Sequence, residues 1–74
     1  MPSKNDVHTV PNPKGGWSNK VNGVAVSNHE TKQVAQDAGR DIARRNGSEH
    51  YIHNKDGTIS ERNSYGNDPR SSKG

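Results

Sequence analysis

The sequence predicts an α+β domain: an antiparallel β-sheet with one α-helix packed on one face, in the order β-β-β-α-β-β. Three observations predict it. The large apolar residues are almost all Val or Ile, with no Leu and no Phe, and β-branched side chains favour pleated, half-buried surfaces. Two turn dipeptides, Asn22-Gly23 and Asp56-Gly57, each sit between alternating segments. One stretch between them carries apolar residues at helical spacing.

The first strand is Val7–Val10, stopped by the run PNPKGG. Pro11 and Pro13 have no N–H to give a ladder, so the run reads as a loop. Trp17–Val21 is the second strand. Asn-Gly is the preferred type I′ pair, because both central residues need positive φ. Pairing Val21 with Val24 then sets Lys20 against Ala25 and Asn19 against Val26. Side chains alternate along a strand, so Trp17, Asn19, Val21, Val24 and Val26 share one face. A slip of one residue would scatter them.

The helix follows. Thr31 or Asn28 is placed to cap its first turn. Val34, Ala35, Ala38, Ile42 and Ala43 fall on one side. Asn46-Gly47 is a C-terminal stop, with Arg44 and Arg45 set favourably against the dipole. Gly39 costs about 1 kcal/mol against Ala inside a helix. Ala35, Gly39 and Ala43 form a ridge without bulk, which lets the helix axis lie close to a valine-rich sheet. The outer face carries Asp37, Arg40, Asp41, Arg44 and Arg45 and reads as solvated.

Residues 49–62 form a second hairpin about Asp56-Gly57. A two-residue or a four-residue loop puts Ile52 and Ile59 on one face and Tyr51, His53, Ser60 and Arg62 on the other. A three-residue loop with a bulge breaks that alternation. Tyr65-Gly66 reads as a bend that lays the tyrosine ring over an open end of the core, ended by Pro69. The domain is thus residues 7–66, between a flexible N-terminus (1–6) and a flexible tail (67–74).

Composition limits what the chain does. It has 74 residues, 23% hydrophobic, no Cys, one Trp and two Tyr, and a mean hydropathy of −1.34. That is one domain with a small core and no disulfide to staple it. The absence of cysteine, and an N-terminus with no apolar run, fit a cytoplasmic protein. No segment is long and apolar enough to be a membrane span.

The candidate chemistry is sparse. His50 and His53 are three apart, and on a strand that spacing sends them to opposite faces, so no metal site is expected. His53, Asp56, Ser60 and Glu61 are near in sequence, but an open sheet offers no water-poor pocket for catalysis, so no enzyme is expected. The glycines of PKGGW precede a strand rather than a helix, which argues against a phosphate loop. No cofactor is expected.

Nucleic acid is the leading partner. Lys and Arg number 11 against eight acids, and the pI is about 9.5. Lys20, Tyr51 and Arg62 fall on the face away from the helix, where a basic, aromatic-bearing sheet tracks phosphates and stacks bases. The other reading is association with itself or with another protein through a sheet edge or that same face. Trp17, Gly39 and Tyr65 read as structural: the main core residue, the close-approach point of the helix and the lid.

Several pieces resemble one small bacterial and phage family, domain of unknown function 2188. They are His8-Thr9-Val10-Pro11, Gly16-Trp17, the helix stop at Asn46-Gly47, then IHNKDGTI and SYGNDP. The resemblance covers about residues 7–69 and implies a small β-rich domain with one helix. It implies no activity, cofactor or catalytic residue. Members often carry prolines after the DP pair, where this chain has Arg70-Ser71-Ser72.

Overall fold

A computed structural model describes residues 6–65. The elements are β1 (Val7–Pro11), β2 (Trp17–Val21), β3 (Val24–His29), α1 (Lys32–Asn46), β4 (Glu49–His53) and β5 (Ile59–Ser64). The five strands form one sheet in the order β3-β2-β1-β4-β5, and α1 lies across one face over β1, β2, β3 and β4. No helix among the described residues is long and apolar enough to cross a membrane.

The sheet is mixed, which corrects the antiparallel expectation. β1 and β4 are parallel, with Val7 beside His50, His8 beside Tyr51 and Thr9 beside Ile52. The reason is the helix. A helix that crosses a sheet face returns the chain to the end where it started, so the strand after it runs the same way as the strand before it. β4 is therefore parallel to β3, and β3 is parallel to β1 because both are antiparallel to β2 between them.

The first hairpin forms as its turn dictates. Asn22 and Gly23 both have positive φ, 57° and 82°. Val21 pairs with Val24 and Lys20 with Ala25. Beyond that the register shifts, and Asn19 faces Ser27 rather than Val26. Val26 is the extra residue of a bulge on the edge strand, and bulges turn exposed edges away from further pairing. It is exposed, as is Val24 at the hairpin tip. Neither joins Trp17 in the core as the simple alternation predicts.

The second hairpin also carries a bulge. His53 pairs with Ile59 but Ile52 pairs with Glu61, leaving Ser60 between. The loop closes through Asn54 N–H to Thr58 O at 2.7 Å and Gly57 N–H to Asn54 O at 3.0 Å. Ile52 is buried under the helix while Ile59 is exposed on the other side. The expectation that they share a face fails on this one inserted residue.

The helix has its foreseen ends. Thr31 caps it by accepting from Val34 N–H at 3.3 Å, and Gly47 takes the left-handed conformation at its end. Ser48 N–H then bonds Ala43 O at 3.0 Å. Ala35, Gly39 and Ala43 are the residues that face the sheet.

The buried apolar set is Val7, Trp17, Ala35, Ala43 and Ile52. Thr9, Asn19, Ser18, Ser48 and His50 are buried with them. Val24, Val26, Val34 and Ile59 are all more than half exposed, so a core built mainly of valines is corrected: its centre is polar. Asp6, placed in the N-terminus by composition, is buried and accepts from Glu49 N–H at 3.1 Å. The remaining N-terminal residues, the turn at Gly66–Pro69 and the 67–74 tail lie outside the described residues.

Candidate nucleic-acid interface and the buried polar centre

The face away from the helix collects residues of four strands into one row. His8 of β1 sits opposite Lys20 of β2 and beside Tyr51 of β4. Tyr51 sits opposite Arg62 of β5. The order across the sheet is Lys20, His8, Tyr51, Arg62. Three strand spacings separate the two cations, about 14 Å at the backbone. The three residues singled out from the sequence thus lie in one row, with His8 as the member that sequence reasoning missed. Only the parallel pairing of β1 with β4 puts it there.

The rings in this row stand upright. His8 and Tyr51 stack with centroids 4.8 Å apart and planes 12° from parallel, which is the spacing of neighbouring strands. Each ring therefore covers one face of the other. The Tyr51 hydroxyl donates to Glu49 Oε1 at 2.7 Å. That bond holds the Glu49 carboxyl below its ordinary range and raises the Tyr51 hydroxyl above its own. Asp6 is occupied by the Glu49 amide. Glu61 pairs with Ile52 and so belongs to the helix side. Asp56 is turned into its own loop, accepting from the Thr58 hydroxyl at 2.7 Å, which lowers its pKa. Among the described acids near this face, Asp6 and Asp56 are engaged within the fold and Glu61 lies off it, while the Glu49 carboxylate stays on it, bonded to Tyr51 and close enough to feel the Arg62 charge.

His53 lies on the same face. Its Nε2 is 3.0 Å from His8 Nδ1. Burial lowers the His53 pKa, and His8 beside it adds to the effect. His50 points the other way and is buried, as the spacing of three on a strand requires.

Under the helix, Gly39 sits over three polar side chains. Thr9 Oγ1 donates to Asn19 Oδ1 at 2.5 Å. Asn19 Nδ2 donates to Ser27 Oγ at 3.1 Å and to the Ala35 carbonyl at 2.9 Å. Thr9 Oγ1 also lies 2.7 Å from His50 Nε2. The proton positions follow by elimination. Both Asn19 amide protons are used, so its oxygen accepts the single Thr9 proton. Thr9 is left as acceptor, and His50 carries its proton on Nε2. Burial holds the His50 pKa down, with the Arg40 charge adding to it.

β5 extends past the helix, which leaves a groove of about 340 Å³ on the helix side. Its walls include Gln36, Arg40, His50, Ile52, Glu61 and Tyr65. Tyr65 is half-buried there, and its N–H bonds Ser48 O at 3.0 Å. Trp17 is buried at the other end of the sheet, with Lys32 Nζ 5.3 Å from its ring centroid. Among the described residues no group of three or more His, Cys, Asp or Glu gathers as a metal cluster.

A family model described as an uncharacterized protein conserved in bacteria (DUF2188) matches residues 7–65. The chain belongs to the DUF2188 family. The match spans every strand and the helix. No curated protein matches the chain, and no solved structure does.

Proposed function

We propose that this DUF2188 domain is a non-catalytic accessory module that binds nucleic acid weakly through its open sheet face. The observation that carries the reading is the in-register row Lys20, His8, Tyr51, Arg62. Two cations at its ends suit phosphates, and the Glu49 carboxylate beside Tyr51 moderates that charge without cancelling it. The upright His8–Tyr51 stack exposes ring edges and one outer face rather than a flat platform. Binding is then dominated by the backbone of the nucleic acid, with modest base stacking and little sequence preference.

The test is a titration of amide shifts with single-stranded DNA, duplex DNA and RNA at two salt concentrations. Two phosphate contacts give a salt slope of about −1.4 for single strands and −1.8 for duplex. Affinity should then fall about 7–12-fold for a fourfold rise in salt. Shifts should centre on Lys20, Tyr51 and Arg62, and Lys20→Ala with Arg62→Ala should abolish the slope. Shifts confined to the helix side, or none at all, refute the reading.

A second reading is favoured by one feature of β3. Val24 and Val26 are 63% and 51% exposed on a strand that has no neighbour beyond it among the described residues. The bulge opposes added strand pairing, but exposed apolar side chains there suit side-chain contact with a second copy of the chain. A mass that rises with concentration, and a Val26→Lys variant that stays monomeric, would support it over nucleic-acid binding.

A further inference from the structure

The geometry points to His8 and His53 as a two-nitrogen site for a divalent late transition-metal ion, Zn²⁺ or Cu²⁺, on the open face of the sheet. The site shares His8 with the row proposed to meet nucleic acid but does not depend on that reading.

The first support is distance. His8 Nδ1 and His53 Nε2 are 3.0 Å apart. An ion at about 2.0–2.1 Å from each imidazole nitrogen puts cis ligands about 2.9 Å apart at a right angle and about 3.3 Å apart at the tetrahedral angle. The two side chains therefore already stand at the separation of a chelating pair. At present one proton bridges the pair, since two lone pairs cannot face each other at this distance. The rings are tilted 38° to one another, and further tilt lets both lone pairs meet beside the line that joins them. The ion then takes the place of the shared proton, which returns to the far nitrogen of its own ring, so each imidazole keeps one N–H and offers one lone pair.

The second support is the surroundings. The His8 ring is held in orientation by its stack on Tyr51. Lys20, opposite His8, is exposed and is free to swing its charge into solvent. Imidazole pairs suit Zn²⁺ and Cu²⁺, and water completes the coordination sphere.

Zinc chloride is titrated into the full 74-residue chain by calorimetry and by ring-proton NMR, followed by a trace of Cu²⁺ for paramagnetic broadening. One ion should bind per chain, and the His8 and His53 ring signals should move together. Broadening should centre on His8, His53 and Tyr51. His8→Ala and His53→Ala should each weaken binding at least about tenfold, no less than the loss of a supporting partner does. His29→Ala should leave it unchanged. Melting curves confirm that each variant folds. If His8→Ala unfolds for want of its stack, His53→Ala and the broadening map of the parent chain decide. Binding that survives both substitutions, broadening centred on His29, or no heat and no shifts up to millimolar zinc overturns the site.

Discussion

Gly39→Ala separates two physical accounts of the helix by sign. Helix propensity alone predicts that the change stabilises the domain by about 1 kcal/mol. The structure predicts the reverse. A Cβ at this position would sit 2.6 Å from Asn19 Oδ1, 2.7 Å from His50 Nε2 and 2.9 Å from Thr9 Oγ1. No Cβ tolerates such distances, and all three neighbours are buried and bonded to one another. Overpacking of this kind costs about 1–3 kcal/mol. Displacing one buried hydrogen bond adds about 1–3 kcal/mol. After the propensity gain, the net loss is about 1–5 kcal/mol. For a domain of this size each kcal/mol moves Tm by about 4–8 °C. Urea melts followed by Trp17 fluorescence, with thermal melts by circular dichroism, measure it. Ala38→Gly, on the flank of the same helix, should cost about 1 kcal/mol and calibrates the propensity term. A Gly39→Ala variant as stable as its parent would refute the close approach of α1 to the sheet.

Other outcomes follow from the same geometry. Thr9→Val keeps the shape but orphans His50 Nε2 and Asn19 Oδ1, and should cost about 1–3 kcal/mol for each buried group left unpaired, read from the urea midpoint. Stability should fall as pH drops. His50 and His53 have folded pKa values below the unfolded value of 6.5, so the unfolded chain takes up protons first. Their contribution is full above about pH 6.5 and declines below it. Melts between pH 7.5 and 5 measure this, and His50→Gln should flatten part of the decline. Tyr65→Ala should cost about 1–2 kcal/mol, less than a fully buried aromatic, because the ring is only half covered in the groove. An unchanged melting curve would make the ring a surface group.

Much of the fold was legible because local rules agreed. Asn22-Gly23 dictated its turn, Thr31 and Gly47 bounded the helix, and Ala35, Gly39 and Ala43 marked the side that meets the sheet. The bulges were not fixed by local rules, although the second hairpin admitted one as an alternative. Bulges at Val26 and Ser60 each insert one residue, and one residue is enough to send Val26 and Ile59 out of the core. No composition signal marks them, since a bulge is chosen by what the partner strand must satisfy. Here Asn19 needs Ser27 opposite it. The strand order was legible in principle. A helix between strands of one sheet implies a parallel return. Applying that rule places His8 beside Tyr51 and exposes the His8–His53 pair, which reading each hairpin separately hides.

The polar centre explains how so few apolar residues suffice to place the helix. Apolar contact is non-directional, and Ala35 and Ala43 could slide along a sheet at little cost. Asn19 cannot slide: its amide donates to one carbonyl of the helix, that of Ala35, and to Ser27 on the neighbouring strand. His50 and Thr9 complete the set from the two parallel strands at the middle of the sheet. A shift of α1 by one residue would break the Asn19 bond to Ala35 and bring a side chain where only Gly39 fits. Position is therefore set by hydrogen bonds and by one missing Cβ, while Val7, Trp17 and Ile52 contribute the area. With the inner face tied down in this way, the outer face of β1 and β4 presents His8, Tyr51 and His53 in fixed relative positions, which a metal pair and a phosphate-tracking row both require.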